Sequence, residues 1–201
     1  MKRILIVGIF IIAVIGVFTF FLKKDYKTQN LGNTISNKSK EQIKEYILNM
    51  NSYEAEAKIT IKSNKNETTY LAKQEVNEEY CSQEILEPKE IRGIKIQYEK
   101  GQLKIENSKL NITKIYENYP YIQQNVLFLT AFIKQFNQTT HKNETENEKE
   151  IILEIKNSEN KYRMNQKLYI DKSTAKPIKL EVQDTTQNII VYILYNEIRI
   201  Q

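Results

Sequence analysis

From Tyr53 onward the chain is built of short stretches in which apolar and polar residues alternate. Tyr53, Ala55, Ala57, Ile59 and Ile61 interleave with Glu54, Glu56, Lys58, Thr60 and Lys62, the period of an extended strand with one dry and one wet face. Related patterns at 68–76, 80–86, 91–98, 103–105, 111–116, 151–156, 161–170, 178–183 and 189–200 bring the expected number to about ten strands. Turn residues such as Ser63-Asn64-Lys65-Asn66, Glu99-Lys100-Gly101 and Asp184-Thr185-Thr186-Gln187 separate them. Most connections are too short for a crossover helix, so the strands must run as an antiparallel meander. A sheet that large curls, and its dry face needs a cover.

Two stretches of helical period supply that cover. Ser39 precedes Gln42 at capping-box spacing, and Ile43, Tyr46, Ile47 and Met50 follow on one face, predicting a helix over 39–50. A second helix is expected over 121–137, where Val126, Leu127, Phe128, Leu129, Ala131, Phe132, Ile133 and Phe136 leave little polar circumference. The polar stretch 138–149 after it reads as an exposed loop.

Ahead of this domain, residues 4–22 form nineteen consecutive positions without a charge, about the length needed to cross a bilayer as a helix. Bulky Phe18, Phe20, Phe21 and Leu22 stand where a signal peptidase needs small residues, so an uncleaved anchor is expected. No Cys follows the apolar run to carry a lipid; the single Cys is Cys81. Residues 1–24 are therefore read as a single-pass transmembrane anchor, 25–38 as a polar tether and 39–201 as the domain. That domain is placed outside the cytoplasm, on the cell or spore membrane.

Charge and composition narrow the chemistry. The net charge is +5, but Lys2, Arg3, Lys23 and Lys24 flank the apolar run, leaving 26 basic against 25 acidic residues beyond it. Basic and acidic side chains are interspersed there, the opposite of the basic patch that nucleic acid requires. One His and one Cys exclude a His-rich metal site and an internal disulfide framework. Five Gly leave no Gly-rich phosphate loop, and no cofactor is expected. His141 sits in a polar stretch with no acid placed to orient it and reads as a solvated surface histidine. Cys81, beside Tyr80 in a strand pattern, reads as a half-buried core residue. Glu78, Glu79, Glu84, Glu87 and Glu90 read as solvated strand edges. No residue is singled out as catalytic, and the chain is expected not to be an enzyme. The residues that ask for more are Phe128, Leu129, Phe132, Ile133 and Phe136. Core packing is their first reading, and a hydrophobic face toward a ligand or partner is the alternative.

Three stretches carry a resemblance to a known family. They are the helix-to-strand passage from Ile47 to Ala57, the segment Glu87-Pro88-Lys89-Glu90-Ile91-Arg92-Gly93 leading to Ile96-Gln97-Tyr98, and the run from Leu168 through Asp171-Lys172-Ser173-Thr174-Ala175-Lys176-Pro177 to Leu180 with its closing strand Asn196-Glu197-Ile198-Arg199-Ile200. In these the chain resembles the LolA/RseB-like superfamily over about residues 38–201, and within it the clostridial GerS-type spore-germination proteins. The resemblance implies an α+β fold, a strongly curved antiparallel half-barrel with helices on its concave face, here preceded by one transmembrane helix. It also implies a non-enzymatic partner of a CwlD-type cortex amidase, needed for the modified peptidoglycan that germination enzymes recognise. Two departures are visible: GerS-type lipoproteins have a lipid-bearing Cys that this chain lacks, and Asn77-Glu78-Glu79-Tyr80-Cys81 stands where LolA carriers read Pro-x-x-Phe/Tyr-Arg. The expected function is thus a membrane-anchored extracytoplasmic binding protein for an envelope or spore-cortex protein. A lipid or lipoprotein carrier is the alternative, and a homodimer is left open.

Overall fold

The capping box at Ser39 forms as the spacing requires. The Ser39 hydroxyl accepts from the Gln42 amide at 3.3 Å, and the Gln42 side chain accepts from the Ser39 amide at 3.0 Å. Two of the orphan amide donors at the start of α1 (Lys40–Leu48) are satisfied in this way, and the helix buries Ile43 and Ile47. The computed structural model describes residues 39–63, 65–119, 126–156 and 165–201. The expected membrane segment 4–22 and tether 25–38 lie outside the described residues, as do the first positions of the helix expected at 121–137 and of the strand expected at 161–170.

After α1 come β1 (Tyr53–Lys62), β2 (Glu67–Val76), β3 (Tyr80–Glu87), β4 (Ile94–Glu99), β5 (Gln102–Asn107) and β6 (Ile112–Tyr116). Helix α2 (Leu129–Gln138) follows, then β7 (Lys142–Glu146), β8 (Glu150–Lys156), β9 (Asn165–Asp171), β10 (Lys176–Gln183) and β11 (Ile189–Ile200). All eleven strands form one open antiparallel sheet in the order β6-β5-β4-β3-β2-β1-β11-β10-β9-β8-β7. It consists of two meanders joined where the first and last strands pair, from Tyr53↔Ile200 to Ile61↔Val191, with a bulge at Glu56/Ala57. The β4–β5 hairpin turns on Lys100 and Gly101, both at positive φ (49° and 80°), the conformation a two-residue hairpin needs.

Because β6 and β7 are opposite edges, the chain between them has to travel the full width of the sheet. Helix α2 lies on that path, which is why it covers the dry face. That inner face buries Tyr53, Ala55, Ala57 and Ile59 of β1, Leu168 and Ile170 of β9, Ile151 and Leu153 of β8, and Ile193 of β11. Gln166 of β9 reaches the helix, its amide donating to the Gln135 side chain at 2.7 Å, and Asn137 donates to the Leu48 carbonyl of α1 at 3.2 Å.

Two expectations are corrected. The polar stretch 138–149 is not all loop: Lys142–Glu146 pairs with β8 as an edge strand, Lys142↔Ile155 to Glu146↔Ile151. Its five polar residues carry no period-two signal because its charges bond to neighbouring elements: Glu144 pairs with Lys44 at 2.9 Å, and Glu146 with Lys172 at 3.1 Å. The described α2 is also amphipathic. Leu129, Phe132, Ile133 and Phe136 are buried while Lys134, Asn137 and Gln138 are exposed. The apolar residues 126–128 belong to its lead-in, where Phe128 is extended (φ −102°, ψ 132°), so they do not close the helix's polar side.

Candidate binding surface

Helix α2 begins without a cap of its own, since Phe128 offers no side-chain hydrogen bond. Its cap comes from β1. The Tyr53 hydroxyl accepts from the Leu129 amide at 3.2 Å and donates to the Gln74 side-chain oxygen at 3.0 Å. The Gln74 amide in turn donates to the Leu127 carbonyl at 2.9 Å and to the Gln83 oxygen at 3.0 Å. Gln74 and Gln83 occupy inward positions of β2 and β3, and both are buried. Buried amides cost free energy unless their bonds are made, and here both ends of the Gln74 amide and the Gln83 oxygen have partners. Burial pushes the Tyr53 phenol well above its ordinary value, with Tyr195 nearby acting in the same direction.

The five residues of the expected hydrophobic face fall in two places. Leu129, Phe132, Ile133 and Phe136 are buried against the sheet, with the Phe132 and Phe136 rings stacked at a centroid separation of 5.8 Å. Phe128 is buried too, but it forms part of the wall of an open groove of about 260 Å³. Tyr80 and Cys81 at the start of β3, Tyr98 of β4, and Ala131 and Lys134 of α2 also line that groove. Burial pushes the Cys81 thiol up, which lowers its thiolate fraction. His141 is exposed, its amide bonded to the Thr139 hydroxyl at 3.1 Å. The acids do not converge: Glu78 accepts from Asn51, Glu84 stands opposite Lys95, and Glu87 and Glu90 are exposed. Among the described residues no three His, Cys, Asp or Glu side chains are grouped to hold a metal ion.

A second polar cluster, on the outer face, was not visible in the sequence. Glu181 of β10, 6 % exposed, accepts from Lys179 at 2.9 Å and from the Tyr169 hydroxyl at 3.0 Å, and the Lys179 ammonium lies 3.9 Å above the Tyr169 ring. Burial, then the Glu181 charge, pushes the Tyr169 phenol up to about 12. The only signal for it was that both charges sit at outward positions of one strand.

Cover of the inner face fades along the sheet. β1 buries its inward residues from Tyr53 to Ile59 and β2 its own from Ala72 to Val76, β3 keeps Cys81 half-exposed, β4 is half-exposed throughout, and β6 is exposed at every position. The arrangement is a sheet-and-helix scaffold clamped shut at its middle and open at one end, with a groove at the border.

No protein-family model and no curated protein matches the sequence. Solved structures do. The GerS lipoprotein, in the structure of its complex with the CwlD amidase of Clostridioides difficile, is 24% identical; the match covers 80% of this chain and 95% of that one at a TM-score of 0.51. An uncharacterized conserved protein of Thermus thermophilus is 11% identical over 82% of this chain and 88% of its own, at a TM-score of 0.52. A LolA superfamily protein of Nitrosomonas europaea is 12% identical over 80% and 93%, at a TM-score of 0.40. The chain has a LolA/RseB-like fold close to that of GerS.

Proposed function

We propose that this chain is a non-enzymatic binding protein that works by holding another protein of the cell envelope or spore cortex, a CwlD-type amidase being the partner put forward. The observation that carries the reading is the fold shared with GerS, which was solved bound to such an amidase. The polar groups at the centre of the inner face support it, since Tyr53, Gln74 and Gln83 bond to one another and to α2. Residues 4–22 would hold the domain at the cell or spore membrane, with the sheet outside the cytoplasm and curved as a half-barrel around its helices.

The test is co-purification of the full chain, in detergent, with the CwlD-type amidase of the same organism. A stoichiometric complex is the expected result. An amidase that elutes alone, and that stays active and correctly localised in a strain lacking this chain, overturns the reading. The groove beside Phe128 favours a second reading, a carrier of lipid or lipoprotein. Organic extraction of the purified chain followed by mass spectrometry tests it, and recovery of no lipid refutes it.

A further inference from the structure

The two edges of the sheet are treated differently. On β7 every charged side chain is held: Lys142 donates to the Phe136 carbonyl, Glu144 pairs with Lys44, and Glu146 pairs with Lys172 and Lys40. Charge held across an edge is a standard protection against unwanted strand pairing. On β6 the opposite holds. Ile112 is 57% exposed, Ile115 51% and Tyr116 38%, with Leu110 of the preceding turn at 65%. The large apolar side chains left exposed among the described residues are these four and Ile61, so four of the five gather at one edge.

The register of β6 on β5 assigns its faces. Ile112, Lys114 and Tyr116 stand beside Asn107, Ile105 and Leu103 on the inner face, while Thr113 and Ile115 point outward. Among the described residues no strand follows β6 in the sheet, so half of its backbone donors and acceptors face outward along the edge. An extended polypeptide satisfies such a row. Lys114 lies over the Tyr116 ring at 4.8 Å and has no carboxylate partner among the described residues, while nearby Glu106 and Glu117 are bonded to Lys104 and Gln102.

We infer that β6 is a docking edge for an extended segment of a partner protein, one carrying apolar residues opposite Ile112 and Tyr116 and an acid opposite Lys114. A second copy of this chain fits poorly. Antiparallel self-pairing over the whole of Ile112–Tyr116 puts its two-fold axis at Lys114, so that two ammonium groups stand directly opposite, which destabilises the pair. An acid at that place converts repulsion into a cross-strand ion pair. The inference deepens the proposed binding role and rests on it, since it names the surface by which a partner is held.

The probe is the peptide acetyl-Thr-Val-Ile-Glu-Thr-Val-Thr-amide, with a counterpart carrying lysine in place of glutamate. Each is added at millimolar concentration to the full chain in detergent, and hydrogen exchange of the residue 112–116 amides is read. The glutamate peptide should slow their exchange. Lys114→Glu, an exposed change that leaves the fold intact, should weaken that peptide about fivefold and favour the lysine peptide by a similar factor. Unchanged exchange with the glutamate peptide overturns the inference, as does equal binding of that peptide to Lys114→Glu. Concentration-dependent dimerisation that protects the same amides without peptide also overturns it, in favour of a second copy. If peptide binding holds while the amidase fails to co-purify, the amidase is the wrong partner and the edge stands. If the amidase co-purifies while the peptide fails, the edge alone is refuted.

Discussion

Replacing Tyr53 by Phe removes one oxygen from the molecule and tests how α2 is attached. That oxygen is buried, with two partners, the Leu129 amide at 3.2 Å and the Gln74 side chain at 3.0 Å. The phenyl ring still fills the same space, so the packing loss is small. The cost lies in the orphans: a first-turn amide of α2 and a buried carboxamide oxygen, each worth about 1–3 kcal/mol when left unpaired. The sum is about 2–6 kcal/mol, and Gln74→Leu on its own should cost a comparable amount because it removes the bonds to Tyr53, Leu127 and Gln83 together. Urea unfolding of the full chain in detergent, followed by circular dichroism, measures both single variants and the double variant. The double variant should lose less than the sum of the singles by about 1 kcal/mol or more, since both act on one network. Faster exchange of the Leu129 amide in Tyr53→Phe should accompany the loss. A destabilisation below about 0.5 kcal/mol, the range of ordinary surface changes, would refute the claim that β1 caps α2.

Phe132→Ala opens a void beneath α2 beside Phe136, and unfolding titrations should record a loss of about 3–5 kcal/mol. Asp171 feels burial, which raises its pKa, but bonds from Ser173 and from the Thr174 amide and hydroxyl outweigh it and hold the carboxyl below its ordinary value. A carboxyl lowered in the folded state stabilises above its unfolded pKa of about 4 and loses that contribution as pH falls further. Acid titration of stability should therefore flatten below about pH 4 in Asp171→Asn relative to the unaltered chain. Gly101→Ala places a methyl group in open space at φ 80°, so the cost is that of the backbone alone, about 1 kcal/mol by the same unfolding assay.

What could be read from the sequence was whatever one face of one element writes into it. β1 was legible to the residue because its inward Tyr53, Ala55, Ala57 and Ile59 are buried and its outward residues are polar. The start of α1 was legible because both halves of its cap lie three residues apart. β7 was not, because Glu144 and Glu146 answer to lysines on other elements and leave no alternation behind. The start of α2 was missed for the same reason: its capping hydroxyl belongs to Tyr53, far back in the chain. The Phe-rich stretch announced an apolar surface but not its direction, which depends on where the helix begins. Gln74 and Gln83 were invisible as buried groups because a glutamine at an inward position pays only when its partners are brought beside it by other strands.

The open end of the sheet follows from geometry rather than from any single residue. Eleven strands spaced about 4.8 Å apart span about 48 Å along the sheet. α1 and α2 contribute 9 and 10 residues, about 14 and 15 Å of helix. Two such rods cannot cover the whole dry face, so some strands have to be left with half their apolar side chains in water. The polar clamp decides which ones. Tyr53, Gln74 and Gln83 fix the start of α2 over β1–β3, and its other end is held by Gln166 of β9, so the cover runs from β3 toward β7. α1 then ties itself to β7 through Lys44 and Lys40. Beyond the clamp Tyr98, Ile112 and Tyr116 stay accessible because neither described helix reaches them. On the inferred docking role, Ile112, Ile115 and Tyr116, exposed beside a Lys114 that no described carboxylate pairs, receive their cover from the partner segment.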